Sequence, residues 1–226
     1  MNFIKNILAL IGLAAIVVAV YGVMKVEPLS TEFKPMIDAY NNLSEEDQGR
    51  IHGLMGELNQ AIETQRFDSG AFEAYLSSME NLFATGNGAA ASVWKVKVEE
   101  DLSAEEVEET MRFVANEHNI KNVGELPLYQ EVEKLTGEPF RFLKIYMFCN
   151  ALTAAQMLEY SDAYSAFLPC RVALVEDKEG QLWIYSLNMD MMIHGGEPLP
   201  QELFDEAVKV KTIIQDIMQR GAAGEF

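Results

Sequence analysis

Residues 7–24 carry no charged side chain and are built from Ile, Leu, Ala and Val, with Gly12, Tyr21 and Gly22 as the main interruptions. At about 1.5 Å of rise per helical residue, the run approaches the roughly 30 Å hydrocarbon thickness of a bilayer once Phe3 and Ile4 are added, with Lys5 able to snorkel back to the interface. The reading is a single-pass helix through residues 3–24, the membrane being the first expected partner. A cleaved signal peptide is the competing reading, since Lys5 supplies a positive leader ahead of the apolar run. The small residues a cleavage site needs are not clearly present near Val20, Tyr21 and Gly22, which favours an uncleaved anchor. Lys5 and the terminal amine lie on one side, Lys25 and Lys34 on the other, so charge biases the orientation only weakly. Because the apolar run begins almost at residue 1, as in signal anchors, the expectation is an inner-membrane protein with its bulk in the periplasm. Secretion after cleavage and a cytoplasmic globule tethered to the membrane are the alternatives.

The 226 residues hold 35 acidic and 17 basic side chains, a formal net charge of −18. Such a surface repels a phosphate backbone, which argues against nucleic acid as a partner. With 49% hydrophobic residues the chain is neither disordered nor a small disulfide scaffold, and two cysteines are too few for a structural zinc cluster.

Residues 27–85 follow helical spacing. Phe33, Met36, Ile37, Tyr40 and Leu43 form one stripe; Ser44, with Asp47 three residues on, caps a second through Ile51, Leu54, Met55, Leu58 and Ile62. A third carries Phe72, Tyr75, Met79, Leu82 and Phe83. This is a helical hairpin with an extra helix, a stalk or a docking surface. The small residues of 86–92 read as a linker. From residue 93 the period changes: Trp94, Val96 and Val98 alternate as in a half-buried strand, and Ser103 with Glu106 opens a helix through Val107, Met111 and Val114. Residues 120–127 read as a short stretch ending in a turn, 128–135 as one or two helical turns, 140–149 as a strand, and 152–160 as a helix. Strands at 171–176 and 181–187 flank a hairpin turn at 177–180, and Pro198 and Pro200 introduce a long terminal helix. The fold class is α+β, a sheet covered on one side by helices. The domains are then an anchor at 1–26, a helical region at 27–85, a linker at 86–92, an α+β domain at 93–220 and a tail at 221–226.

Cys149 ends one strand and Cys170 precedes another. If those strands are neighbours the sulfurs come close, and a disulfide, two buried reduced thiols, or a reactive or metal-binding pair all remain open. Met189, Met191, Met192 and His194 concentrate soft donors that suit Cu(I) or an axial haem position, although methionine is equally a filler of irregular core space. Asp190 and His194 offer an acid–base pair with no nucleophile beside it. His118 reads as a packing or capping residue, His52 as unremarkable, and the acidic run at 99–109 as a solvated face. No GxGxxG, P-loop, HExxH, GxSxG or CxxCH pattern occurs, which argues against an enzyme of those classes.

The segment Phe148-Cys149-Asn150, a helix-length interval, then Leu168-Pro169-Cys170-Arg171-Val172-Ala173-Leu174 and a turn ending in Gly180 resembles the domain of unknown function 302 family. The resemblance covers residues 93–189 and extends towards the terminal helix. It implies an antiparallel sheet packed on helices in a TATA-binding-protein-like arrangement, association as a homodimer, and a site where Cys149, Asn150, Pro169, Cys170 and Arg171 cluster. Members of that family commonly carry proline after the asparagine; here Ala151 stands there. The leading expectation for function is a membrane-anchored, periplasm-facing binding or interaction module. A thiol redox or sulfur-handling protein using Cys149 and Cys170 is the second, and a soft-metal or haem binder the third.

Overall fold

The computed structural model of the chain describes residues 34–226. The expected membrane run at residues 3–24 lies outside them; among the described residues no helix is long and apolar enough to cross a membrane. The chain divides into two compact units, residues 1–66 and 67–226.

In the first unit, α1 (Lys34–Asn41) and α2 (Glu45–Glu63) are joined by Ser44. The Ser44 hydroxyl accepts the Asp47 N–H at 3.1 Å, as the capping pattern predicts. Tyr40 Oη lies 2.7 Å from His52 Nε2, so His52 ties the two helices together. Ile51 and Ala61 are buried, but Ile62 is 59% exposed and Leu54 is also exposed. Eight residues of α1 span about 12 Å against about 28 Å for α2, too short to cover its whole apolar face.

The second unit begins earlier than the sequence reading placed it. Helix α3 (Ala71–Thr85) belongs to it, and residues 86–92 are no open linker: Asn87 caps a single helical turn, α4 (Gly88–Ala91), by accepting the Ala89 and Ala90 N–H groups. Of the stripe expected to pack α3, Phe72 is 76% exposed and Tyr75 and Phe83 are exposed as well, Met79 and Leu82 are half-buried, and the buried positions are Ala71 and Ala74. Small residues let the helix approach its neighbours closely, and Tyr75 uses only its hydroxyl, which donates to the Gly195 carbonyl at 2.8 Å.

Then follow β1 (Val93–Lys97), α5 (Ala104–Glu117), β2 (Lys121–Leu126), α6 (Leu128–Thr136), β3 (Leu143–Cys149), α7 (Ala151–Tyr160), a 3-10 segment (Asp162–Phe167), β4 (Cys170–Glu176), β5 (Leu182–Leu187), α8 (Asp190–His194) and α9 (Gln201–Ala223). The five strands form one antiparallel sheet in the order β1-β5-β4-β3-β2. Fold class is thus α+β, an antiparallel sheet packed against helices.

Strand alternation makes the core. Tyr146 and Phe148 of β3, Val172 and Leu174 of β4, and Ile184 of β5 point one way and are fully buried against Val107, Met111 and Val114 of α5 and Ala207, Ile214 and Ile217 of α9. At Gly221 a Cβ would stand 2.6 Å from Met111 Cγ, so α9 crosses α5 where only glycine fits. On the opposite face of the sheet the partners Ile145, Ala173 and Tyr185 are half-buried, and Lys95 places its ammonium 3.5 Å from the Trp183 ring centre. The Ser103–Glu106 capping box forms. The hairpin turn forms too, with Asp177 Oδ1 accepting the Glu179 and Gln181 N–H groups at 3.0 and 2.9 Å.

Candidate functional site

The end of β3 and the start of β4 lie side by side, since Phe148 pairs with Cys170. Facing residues share one side of a sheet, so Cys170 follows Phe148 towards the helices while Cys149, one residue on and paired with Lys121, turns to the other. Both thiols are free. Beyond β3, Asn150 Oδ1 accepts the Leu152 and Thr153 N–H groups at 3.1 and 3.3 Å and so starts α7. Before β4, the 3-10 segment runs into a cis Leu168–Pro169 bond.

These segments line a partly open cavity of about 40 Å³. Cys170, Phe148, Cys149 and Asn150 border it from the strand ends, Met157 from α7, Leu168 from the turn, and Met189 and Met192 from the segment after β5; Ala207 and Val210 of α9 complete it. Its polar lining is Asn150, Thr153 and Tyr164, and no lining side chain is charged at neutral pH. The Thr153 hydroxyl is turned to Glu206 at 3.2 Å and the Tyr164 hydroxyl donates to the Met192 carbonyl at 3.1 Å. Burial pushes the Cys170 thiol up to about 11, with Cys149 adding to the rise, and burial raises Cys149 as well. At neutral pH the reactive thiolate of Cys170 is then on the order of 10⁻⁴ of the population, far from the poise of a redox cysteine.

Of the five residues expected to cluster, Cys149, Asn150 and Cys170 border the cavity. Pro169 shapes the turn beside it without lining it. Arg171 points to the other face and is exposed; its carbonyl accepts from the Ser186 hydroxyl at 2.9 Å, and its charge slightly offsets the rise of the Cys170 thiol. The soft-donor stretch is divided. Met189 and Met192 reach the cavity, three residues apart at the opening of α8, whereas Met191 does not line it. His194 is drawn away: its Nδ1 lies 2.8 Å from Asp68 Oδ1 and its ring edge meets Phe204. Burial would raise Asp68, but the Gly70 N–H and His194 outweigh it and hold the carboxyl below its ordinary value. Asp190 is ion-paired with Lys211, so the Asp190–His194 pair does not form. His118 closes α5 and lies 2.7 Å from Asp216.

Sequence reading missed Met157, Leu168 and Ala207 at the cavity. Ala207 carried a signal, a small residue within a stripe of large ones. It also missed a half-buried ionic network. Lys144 bridges Glu108 and Glu125 at 2.9 and 2.8 Å, Arg112 reaches Glu125 at 2.8 Å, and the Tyr146 hydroxyl donates to Glu108. Every member is partnered, so the network binds α5 to β2 and β3 and leaves no open valence. A larger cleft of about 570 Å³ runs beside β1, bordered by Trp94, Lys95, Tyr185, Gln215 and Gln219, where the Lys95 ammonium lies over the Trp183 and Tyr185 rings.

The pattern of the domain of unknown function DUF302 matches residues 94–221, more than half of the chain, and the chain belongs to that family. Among solved structures, the uncharacterized conserved protein DUF302 from Bacillus stearothermophilus aligns at 17% identity and a TM-score of 0.46, over 57% of this chain and 96% of its own. No curated protein matches the chain.

Proposed function

We propose that the chain is a binding module, held at the inner membrane by residues 3–24 and facing the periplasm, whose DUF302 unit captures a small ligand in the cavity at Cys170. The observation that carries this reading is that the Cys149-Asn150 and Leu168–Cys170 segments, which bear the family likeness, border one cavity. The TATA-binding-protein-like arrangement and the homodimer expected from that likeness are part of the proposal. Thiol redox chemistry is the weaker reading, because both thiols are free and burial raises both, outweighing the Arg171 charge that lowers Cys170. A cavity of about 40 Å³ exceeds the roughly 10–15 Å³ that one water needs but falls far below the 300 Å³ and more of an organic-ligand pocket, which excludes a haem from it.

The test uses the full chain extracted in detergent from its native membranes. Recovery in the washed membrane fraction is expected, with a small bound species retained in native mass spectrometry and lost in Ala154→Leu, which fills the cavity from α7. A chain found only in the aqueous fraction sinks the anchored reading. A full chain that carries nothing from its own membrane sinks the binding reading.

A further inference from the structure

We infer that the ligand of this cavity is Cu(I), bound by Cys170 Sγ and the thioethers of Met189 and Met192. The inference rests on the binding reading above and names its ligand.

Donor chemistry is the first support. Five sulfur-bearing side chains border the cavity, Cys149, Met157, Cys170, Met189 and Met192, and no carboxylate or imidazole does. Thioether and thiolate select soft ions, and thioethers bind hard cations poorly. Among the described residues, no group of three or more His, Cys, Asp or Glu side chains is placed to hold a metal, so the usual zinc and iron donor sets are not assembled.

Size and charge point the same way. The volume suits a single ion. A Cu(I) ion with one thiolate and two thioethers is neutral overall with Cys149 left as a thiol, whereas a divalent ion reaches neutrality only if Cys149 gives up its proton as well, and an unpaired buried charge is costly. Binding is a simple exchange. The Cys170 S–H bond breaks, its proton goes to water, an S–Cu bond forms, and copper stays in the +1 state.

The donors are also held. Met189 and Met192 share a face at i, i+3 spacing. Met189 and the neighbouring Ile193 are buried, the Met192 carbonyl accepts the Tyr164 hydroxyl, and the Lys211–Asp190 and His194–Asp68 contacts fix the two ends of α8.

The experiment titrates Cu(I), kept reduced and anaerobic, into the full detergent-solubilised chain against bicinchoninate. One copper per chain is expected, with sulfur as its only directly bonded neighbour in the copper K-edge spectrum. Cys170→Ser is expected to weaken binding by more than about 100-fold and Met189→Leu or Met192→Leu by about 10-fold each, since even outer-shell losses cost 10–100-fold. The Met→Leu changes nearly conserve volume and keep the fold, so they decide the matter even if Cys170→Ser does not fold. Nitrogen or oxygen neighbours, or affinity that survives both Met variants, overturns the site. If the wild-type chain takes up no copper while Ala154→Leu still loses a co-purified species, the copper assignment falls and the binding reading stands.

Discussion

Lys144 sits between Glu108 and Glu125 with its side chain 15% exposed, and both carboxylates lean on it. Burial would raise Glu125, but hydrogen bonds from Lys144 and Arg112 outweigh burial and hold the carboxyl below its ordinary value. A group depressed in the folded state contributes stability above its unfolded value and loses it as pH falls through the folded one. Lys144→Ala is therefore expected to cost about 2 kcal/mol or more near neutral pH, because two carboxylates are left close together, and to flatten the acid side of the stability profile. Urea unfolding between pH 3 and 7 measures both; an unchanged acid limb would remove the network from the account. At this scale the caps were legible: Ser44 and Ser103 are local signals read within four residues. The direction of Cys170 was not, because a strand residue's face depends on its partner's register, which no local pattern encodes.

The start of α7 rests on one side chain. Asn150 accepts two N–H groups of the first turn, and Ala151 occupies the first helical position, where no intrahelical donor is needed. Asn150→Ala should lose about 1 kcal/mol. Ala151→Pro should be neutral or gain up to about 1 kcal/mol by restricting the unfolded chain. Thermal melts of both distinguish the cap from the missing proline; a strongly destabilised Ala151→Pro would contradict the placement. Long periodic helices and the 177–180 hairpin were readable because their signals repeat. Residues 121–126 were not read as a strand, since a register shift between Asn122 and Gly124 breaks the alternation. The 3-10 segment was also missed, being too short for any period to show. The stripe on α3 misled because its packing side is alanine, which carries little hydropathy signal.

Among described residues the first unit buries only Ile51 and Ala61 of its apolar side chains, while the second holds a continuous core from Val98 to Ala222. Regions with few buried apolar contacts open at lower free energy. Native-state hydrogen exchange in urea should therefore release the amides of α2 well before those of β3, β4 and β5; simultaneous release would mean one cooperative body. The α+β class was legible from the change of period at residue 93, but strand order was not. Val93 lies against Leu187, so the first strand of the sheet is bonded to its last and to no other. During synthesis β1 must wait, unpaired, until nearly the whole domain has left the ribosome, which makes closure of this edge a late, long-range event and leaves any chain ending before β5 with an orphaned first strand.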